Sequence, residues 1–473
     1  MLESRLRADM TPEAIIETLK TLVDADKVRT DRESLDTWGR DWTKQFEPAP
    51  LAIVFPKSIE QVQAVVRFAN EHRLALTPSG GRTGLSAAAV AANGEIVVSF
   101  DYMNRILDFN AFDRTVTCEP GVVTAQLQQY AEDQGLYYPV DFASAGSSQI
   151  GGNIGTNAGG IKVIRYGMTR NWVAGLKVVT GTGELLELNK GLMKNATGYD
   201  LRQLFIGAEG TLGFVVEATM RLERAPKNLT AMVLGTPDFD SIMPVLHAFQ
   251  GKLDLTAFEF FSDRAMAKVL ARGDVPAPFE TDCPFYALLE FEAVSEEVAN
   301  EALATFEHCV EQGWVLDGVM SQSEQQLQNL WKLREFISET ISHWTPYKND
   351  ISVTVSQVPA FLRDIDAIVG EHYPDFEIVW FGHIGDGNLH LNILKPDAMP
   401  KEEFFAKCAS VNQWVFDIVR KYNGSISAEH GMGMTKRDYL GYSRSPEEIA
   451  IMKSVKAVFD PNGIMNPGKI FPV

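Results

Sequence analysis

Six glycines, Gly146, Gly151, Gly152, Gly155, Gly159 and Gly160, fall within fifteen consecutive residues, interleaved with Ser147, Ser148, Asn153, Thr156 and Asn157. A stretch with so few Cβ atoms adds little to a hydrophobic core; its use is to let backbone approach a bulky partner closely. Upstream, the strand-like LALTP runs into Ser79-Gly80-Gly81-Arg82-Thr83-Gly84, where adjacent glycines allow successive backbone N–H groups to converge on an anion. Together the two loops predict a large ligand that carries phosphate. The common nucleotide signatures do not fit it. Gly181-Thr182-Gly183 is followed by Glu184 to Leu186 where the Rossmann fingerprint needs a third glycine, and no G-K-[ST] triplet exists for a P-loop.

A chain of 473 residues exceeds what a single hydrophobic core supports, so two or three domains are expected. With 45% hydrophobic and 22% charged residues, neither a disordered nor a fibrous chain fits. The net charge of −19 opposes binding to phosphate backbones or anionic lipid, so nucleic acid is not an expected partner. No apolar run approaches the length of a membrane span. The four cysteines, Cys118, Cys283, Cys309 and Cys408, have no C-x-x-C spacing, which fits a reducing compartment. Glu3 and Asp9 sit where a signal peptide would be apolar, so a cytoplasmic location is expected.

Residues 1–48 read as a helical adaptor segment, with Thr11 capping a helix whose Ile15, Ile16, Leu19, Leu22 and Val23 recur at helical spacing. From Leu51 short strands alternate with helices: LAIVF, a helix with a capping box at Ser58 and Gln61, then IVVSF, TVTCEPGVV, LKVVT and FVVEATMRL. Pro226 breaks this run, placing a boundary near residue 225 and a first α+β domain over 49–225. Residues 226–420 carry longer amphipathic helices between strands such as FYALLEFEAV and EIVWFGH, predicting a second α+β domain with an antiparallel sheet and helices on one face. Residues 421–473 form a closing, helical C-terminal segment ending in NPGKIFPV.

The segment 381–392 places Asp386-Gly387 between two apolar strands, a strong signal for a two-residue hairpin turn. That turn would set His383 opposite His390, both within reach of one metal ion. Alternation puts Asn388 and Asn392 on the same face as His390. Glu429, in Ala428-Glu429-His430-Gly431, supplies a third ligand, giving two imidazoles and a carboxylate, a set that suits zinc and also manganese or iron. A divalent ion of this kind lowers the cost of deprotonating a hydroxyl bound beside it. His430, next to Glu429, is then the expected catalytic base. Substrate carboxylates need cations, and Arg334 with the Ser338 hydroxyl one helical turn later is one candidate set. Lys348, ahead of a strand expected at 351–355, is another, and Asn392 adds a polar contact.

Four ordered motifs, PSGGRTGL, GSSQIGGNIGTNAGG, NATGYDLRQLFIGAEGTLGFV and NPGKI, resemble the FAD-linked oxidases of the vanillyl-alcohol oxidase type over nearly the whole chain. The resemblance implies a two-subdomain FAD-binding domain of the PCMH type followed by a substrate-binding cap domain, with the C-terminal segment returning to the flavin. It implies that Pro78, Ser79, Gly80, Gly81, Arg82, Thr83 and Gly84 hold the pyrophosphate and that Gly146, Ser147, Gly151, Gly152, Asn153, Thr156, Asn157 and Gly159 lie along the flavin. Glu209, Gly210, Gly213, Val215 and Asn466 complete the FAD site. Gly81 to Leu85 contain no histidine of the kind that attaches flavin in covalent relatives, so the FAD is expected to be non-covalent. Arg82 departs from the smaller or neutral residue often found there. GHIGDGNLHLN, AEHG, WKLRE and YKND are most similar to the D-2-hydroxyglutarate dehydrogenase branch, which implies D-2-hydroxyglutarate or D-malate as substrate and an electron-transferring flavoprotein or quinone as acceptor. D-lactate or glycolate oxidation is the near alternative; a metal hydrolase or a non-catalytic flavin-binding subunit is the distant one. The oligomeric state stays open, a homodimer among the options.

Overall fold

A computed structural model describes residues 10–43 and 45–472, so the part of the N-terminal expectation that falls on residues 1–9 lies outside the described residues. The chain divides into two compact units. One takes residues up to Gly159, Met168–Ala225 and Glu429 onward; the other takes Gly160–Gly167 and Pro226–Ala428.

The first unit contains a four-stranded sheet in the order Val28–Arg29, Ala52–Val54, Ile96–Ser99, Leu76–Ser79, parallel except for its first pair. The inner strands are apolar at nearly every position, as strands covered on both faces must be. Strands Ala52–Val54 and Leu76–Ser79, which flank Ile96–Ser99 in parallel, are joined by the crossover helix Ile59–His72, which buries Val62, Val65, Val66 and Ala69. Its start matches the capping signal: Ser58 Oγ accepts from the Gln61 N–H at 3.3 Å, while Gln61 Oε1 reaches back to the Lys57 N–H at 2.8 Å. A five-stranded antiparallel sheet follows in the order Ile106–Asn110, Thr115–Cys118, Gly213–Arg221, Val173–Thr180, Leu185–Leu188.

The described part of the N-terminal segment does not stand apart as an adaptor. Thr11 caps helix Pro12–Leu22 as expected, but Ile15, Leu19 and Val23 are buried in one cluster with Val62, Val66, Val98 and Met465. The chain then supplies the edge strand Val28–Arg29 and a second helix, Arg32–Trp38. An amphipathic helix has to cover its apolar stripe, and here the stripe closes the sheet's core. The closing segment joins the same sheet, since Met465 bridges Leu76 in parallel and Asn466 N–H donates to Leu76 O at 2.7 Å.

The second unit is built on a seven-stranded sheet in the order Asp317–Met320, Leu229–Thr236, Phe285–Glu292, Leu255–Ser262, Ile378–Gly382, Asn388–Ile393, Tyr347–Ser352, each neighbouring pair antiparallel. Helices cover both faces, not one. Helix Glu324–Ile341 packs with Ala257, Phe261, Val379 and Phe381 on one side. On the other, helix Lys401–Lys421 lies against the strand that carries Tyr347, whose hydroxyl accepts from Asn412 Nδ2 at 2.9 Å. The physical reason is legible in FEFF and IVWF, where Phe260 and Trp380 are as buried as Phe261 and Phe381 and so need a second covering layer. Strand Tyr347–Ser352 also starts four residues ahead of the expected 351–355, because Tyr347 already pairs with Ile393.

Because Leu19 is fully buried in the first unit's core, Leu19→Ala should cost about 2–5 kcal/mol of stability. Chemical denaturation followed by flavin fluorescence will measure this, and an unchanged midpoint would mean the helix is dispensable.

Candidate active site

In the first unit the two glycine-rich segments meet. A Cβ on Gly81 would lie 2.2 Å from Ser147 O, so the loops touch backbone to backbone at a point only glycine permits. Beside them is a cleft with about 660 Å³ of empty volume, lined by Pro78, Gly80, Gly151, Gly152, Thr156, Glu209, Gly210, Gly213 and Val215 together with Gln149, Gly155, Phe100, Phe205 and Phe214. Part of the second segment is not a loop but the helix Ile150–Thr156. Gly151 fits it under Pro120, whereas the Cβ positions of Gly152 and Gly155 meet nothing within 4 Å. Ser79 Oγ and Gln149 Oε1 are buried with no hydrogen-bond partner among the described residues. An open glycine face, flanking aromatic rings and orphaned polar atoms fit a flavin nucleotide.

Other residues expected at the FAD shape the cleft from behind. Arg82, at φ 60°, folds back so that Nη1 donates to Gly80 O at 2.7 Å, pairs with Asp101 at 3.3 Å and stacks over Trp38. Gly84 lies against Asp41, whose carboxyl burial pushes up to about 6. Asn153 donates to Thr124 Oγ1 at 2.7 Å, and Asn157, at φ 51°, accepts the Arg170 N–H at 2.9 Å. Asn466 is fully buried and donates to Ala88 O at 2.9 Å and Glu209 O at 2.7 Å. Thr83, Gly146, Ser147 and Gly159 are not among the residues lining the cleft. The Glu209 carboxylate accepts the Met432 and Gly433 N–H groups at 2.6 and 2.8 Å, pinning the turn just after Glu429 and His430. Desolvation raises its pKa against the pull of those two donors.

In the second unit the histidine hairpin differs in register from the two-residue turn. Phe381 pairs with His390, so the series continues with His383 opposite Asn388 across a four-residue loop, Ile384–Gly387. The chain turns through a short 3₁₀ segment, with the Asn388 N–H donating to His383 O at 3.2 Å and Gly387 at φ 85°. A slip of two residues preserves side-chain parity. His383 and His390 therefore remain on one face, diagonal rather than directly opposed, with ring centroids 5.3 Å apart.

The neighbouring strand adds Asp350, which faces His390 with 3.8 Å between Oδ1 and Nδ1 and accepts from Asn388 Nδ2 at 2.9 Å. Lys348 is the cross-strand partner of Asn392 and donates to Ser338 Oγ at 3.0 Å. Burial lowers its pKa from 10.5 to about 8. Asn392 itself donates to Val379 O and His390 O, both at 3.2 Å. Arg334 stacks over Phe381 and its Nη2 forms an ion pair with Glu259 Oε2 at 2.8 Å outside hydrogen-bond geometry, so that Arg334 Nε and Nη2 and Glu259 Oε2 have no hydrogen-bond partner among the described residues. Glu429 is the residue after Ala428, whose N–H donates to Asp350 O at 3.2 Å. The peptide link thus holds the Glu429 Cα about 3.8 Å from that of Ala428.

Family models match both parts of the chain: an FAD binding domain over residues 50–189 and the C-terminal domain of FAD linked oxidases over residues 225–470. The chain belongs to the FAD-linked oxidases. It is 85% identical to a D-2-hydroxyglutarate dehydrogenase of Stutzerimonas stutzeri, covering 98% of this chain and all of the relative. It is 55% identical to one from Xanthomonas citri pv. viticola, covering 96% of each chain, and 36% identical to the mitochondrial one of Danio rerio, covering 94% of this chain and 82% of the relative. Among solved structures, p-cresol methylhydroxylase with substrate bound shares the fold at TM-score 0.76 and 15% identity, covering 97% of each chain.

Three groups at these sites escape motif reading of this FAD-linked oxidase. Gln149 sits between its glycines as an ordinary amide. Asp350 is visible only as half of Asn-Asp ahead of a strand, and its relation to His390 exists only once Tyr347–Ser352 pairs with Asn388–Ile393. Glu259 is one charge inside LTAFEFFS, and its burial there was the available signal.

Since no alanine Cβ fits at Gly81, Gly81→Ala should separate the two segments and leave the purified FAD-linked oxidase with much less flavin, read from its absorbance at matched protein concentration. Acid precipitation of the wild type should release all flavin into the supernatant; flavin kept by the pellet would show attachment.

Proposed function

We infer that this chain is an FAD- and divalent-metal-dependent dehydrogenase that oxidises a D-2-hydroxy dicarboxylate, D-2-hydroxyglutarate before D-malate, to the 2-oxo acid. The observation that carries this reading is a pair of cations, a buried Arg334 and a half-buried Lys348, on the histidine face of the second unit. Arg334 is 4% exposed and retains an unpaired N–H, and burial lowers the pKa of the half-buried Lys348 to about 8. Buried ammonium and guanidinium groups with donors to spare suit an anion that brings its own charge. The names of the relatives agree with it.

When bound, FAD supplies a hydride acceptor and a divalent ion supplies a Lewis acid for the hydroxyl and carboxylate oxygens. His383, His390 and Glu429 would hold the ion, their donor set suiting zinc, manganese or iron. Lys348, with Ser338 beside it, binds a substrate carboxylate, and Arg334 offers the planar donor edge that a second carboxylate oxygen pair can meet. Asn392, already donating to two backbone carbonyls, fixes the floor of the slot. A ring nitrogen of His430 takes the proton from the 2-hydroxyl as hydride departs. Electrons pass on to an electron-transferring flavoprotein or a quinone, as the family resemblance implies.

Treatment with a chelator should abolish turnover while the flavin spectrum persists, and His383→Ala and His390→Ala should each lower metal content. Full activity in a verified metal-free enzyme would remove the ion from the reading. Lys348→Ala should cost about 2–4 kcal/mol in kcat/KM for D-2-hydroxyglutarate and much less for D-lactate. Equal losses, or a wild-type preference for D-lactate, would favour the monocarboxylate alternative. The pH dependence has a defined sign. Lys348 is charged below about pH 8, so kcat/KM for the dicarboxylate should fall as pH rises through that value, and Lys348→Arg should move the fall upward.

A further inference from the structure

Among the described residues of the second unit, the least expected charge is Glu259. It lies mid-strand in Leu255–Ser262, between Phe258 and Phe260, and is 1% exposed. Nothing apolar about the strand calls for a carboxylate there, and an isolated one would be strongly disfavoured. Its two oxygens are divided between two residues of the candidate site. Oε1 is 2.8 Å from His383 Nδ1, and Oε2 is 2.8 Å from Arg334 Nη2. His383 and Arg334 come from different elements, the end of one strand and the middle of helix Glu324–Ile341, and Glu259 is the atom-level link between them.

We propose that Glu259 is a positioning residue that acts on both partners: it fixes His383 in the tautomer that presents Nε2 to the metal, and it holds the Arg334 guanidinium in register for the substrate carboxylate. The reasoning is a count of donors and acceptors. A carboxylate so placed accepts from His383 only if Nδ1 carries the proton, which leaves Nε2 unprotonated, the form that ligates a cation. A carboxylate behind an imidazole also raises the ring's basicity as a ligand. The same carboxylate neutralises Arg334 as an ion pair while Nε and Nη2 of the guanidinium both keep hydrogen-bonding capacity. This proposal rests on the reading of His383 as a metal ligand and adds the residue that makes it competent.

Glu259→Gln is the informative change because an amide has one acceptor and no charge where an imidazole N–H and a guanidinium must both be met. With its oxygen turned toward Arg334, its NH₂ meets His383 Nδ1 and drives the ring proton to Nε2, the wrong tautomer. With the oxygen turned toward His383, its NH₂ opposes the guanidinium. A control for simple loss of a buried carboxylate is at hand on the same sheet. Glu290 is 2% exposed and bound by Lys162, by Trp331 Nε1 at 2.8 Å and by Thr256 Oγ1 at 2.5 Å, with no histidine among these partners.

The experiment strips metal from the flavin-loaded wild type, E259Q and E290Q, then measures zinc and manganese affinity by competition with a chromophoric chelator, alongside thermal unfolding. Both variants should lose thermal stability, but E259Q alone should lose about 10–100-fold in metal affinity. KM for D-2-hydroxyglutarate should also rise in E259Q beyond its change for D-lactate. Wild-type metal affinity in folded E259Q, or an equal loss in E290Q, would overturn the proposal. If the stripped wild type binds neither metal, the metal-site reading itself falls, a separate outcome. Should E259Q fail to fold, histidine-selective ¹⁵N NMR of the stripped wild type reads the tautomer directly, with His383→Gln assigning the signal. A proton on Nδ1 is expected, and one on Nε2 overturns the proposal.

Discussion

Pairing of strand Tyr347–Ser352 with strand Asn388–Ile393 brings Lys348, Asp350, Asn388, His390 and Asn392 onto one face of a sheet that is elsewhere packed with phenylalanine and leucine. Putting this many polar groups in a nearly dry layer is tolerable only if they satisfy one another or wait for a ligand. Both happen here. Asp350, Asn388 and Glu259 are engaged by neighbours, whereas Arg334 keeps an unpaired N–H and Lys348 has a hydroxyl rather than a carboxylate beside it. The division separates groups whose partners lie within the site from groups with hydrogen-bonding capacity to spare.

The first unit follows the same logic with backbone in place of side chains. Glycines bring two segments together at Gly81 and leave an open face at Gly152 and Gly155. Arg82, a departure from the expected residue type, has a local explanation: its charge is consumed by Asp101 and by the Gly80 carbonyl, so it stiffens the loop. Glu209 does comparable work at the other end of the chain, gathering the amides of Met432 and Gly433.

Much of this was legible in the sequence because the signals are local. The Ser58 cap, the glycine segments and the shared face of His383 and His390 all depend on spacing of a few residues. What was not legible depends on partners far apart in the chain. The hairpin register came out two residues away because Asp386-Gly387 closes a 3₁₀ turn after Ile384 instead of a tight two-residue turn. Helices on both faces of the large sheet, and the burial of the N-terminal helix in the first core, follow from which apolar surfaces remain uncovered, a property of the whole unit. Glu259 is the clearest case, since its meaning lies in residues more than seventy positions away in the sequence.

Lys348 carries one more consequence. Its lowered pKa means the folded unit is disfavoured with that ammonium charged, and the penalty is fully present below about pH 8 and relieved as pH rises toward the ordinary lysine value. A bound anion relieves the same penalty from the other side. Occupancy of the slot and persistence of the fold are therefore thermodynamically linked. On the reading proposed above, the protein without its anion would be the less stable form, the more readily unfolded and cleaved by proteases.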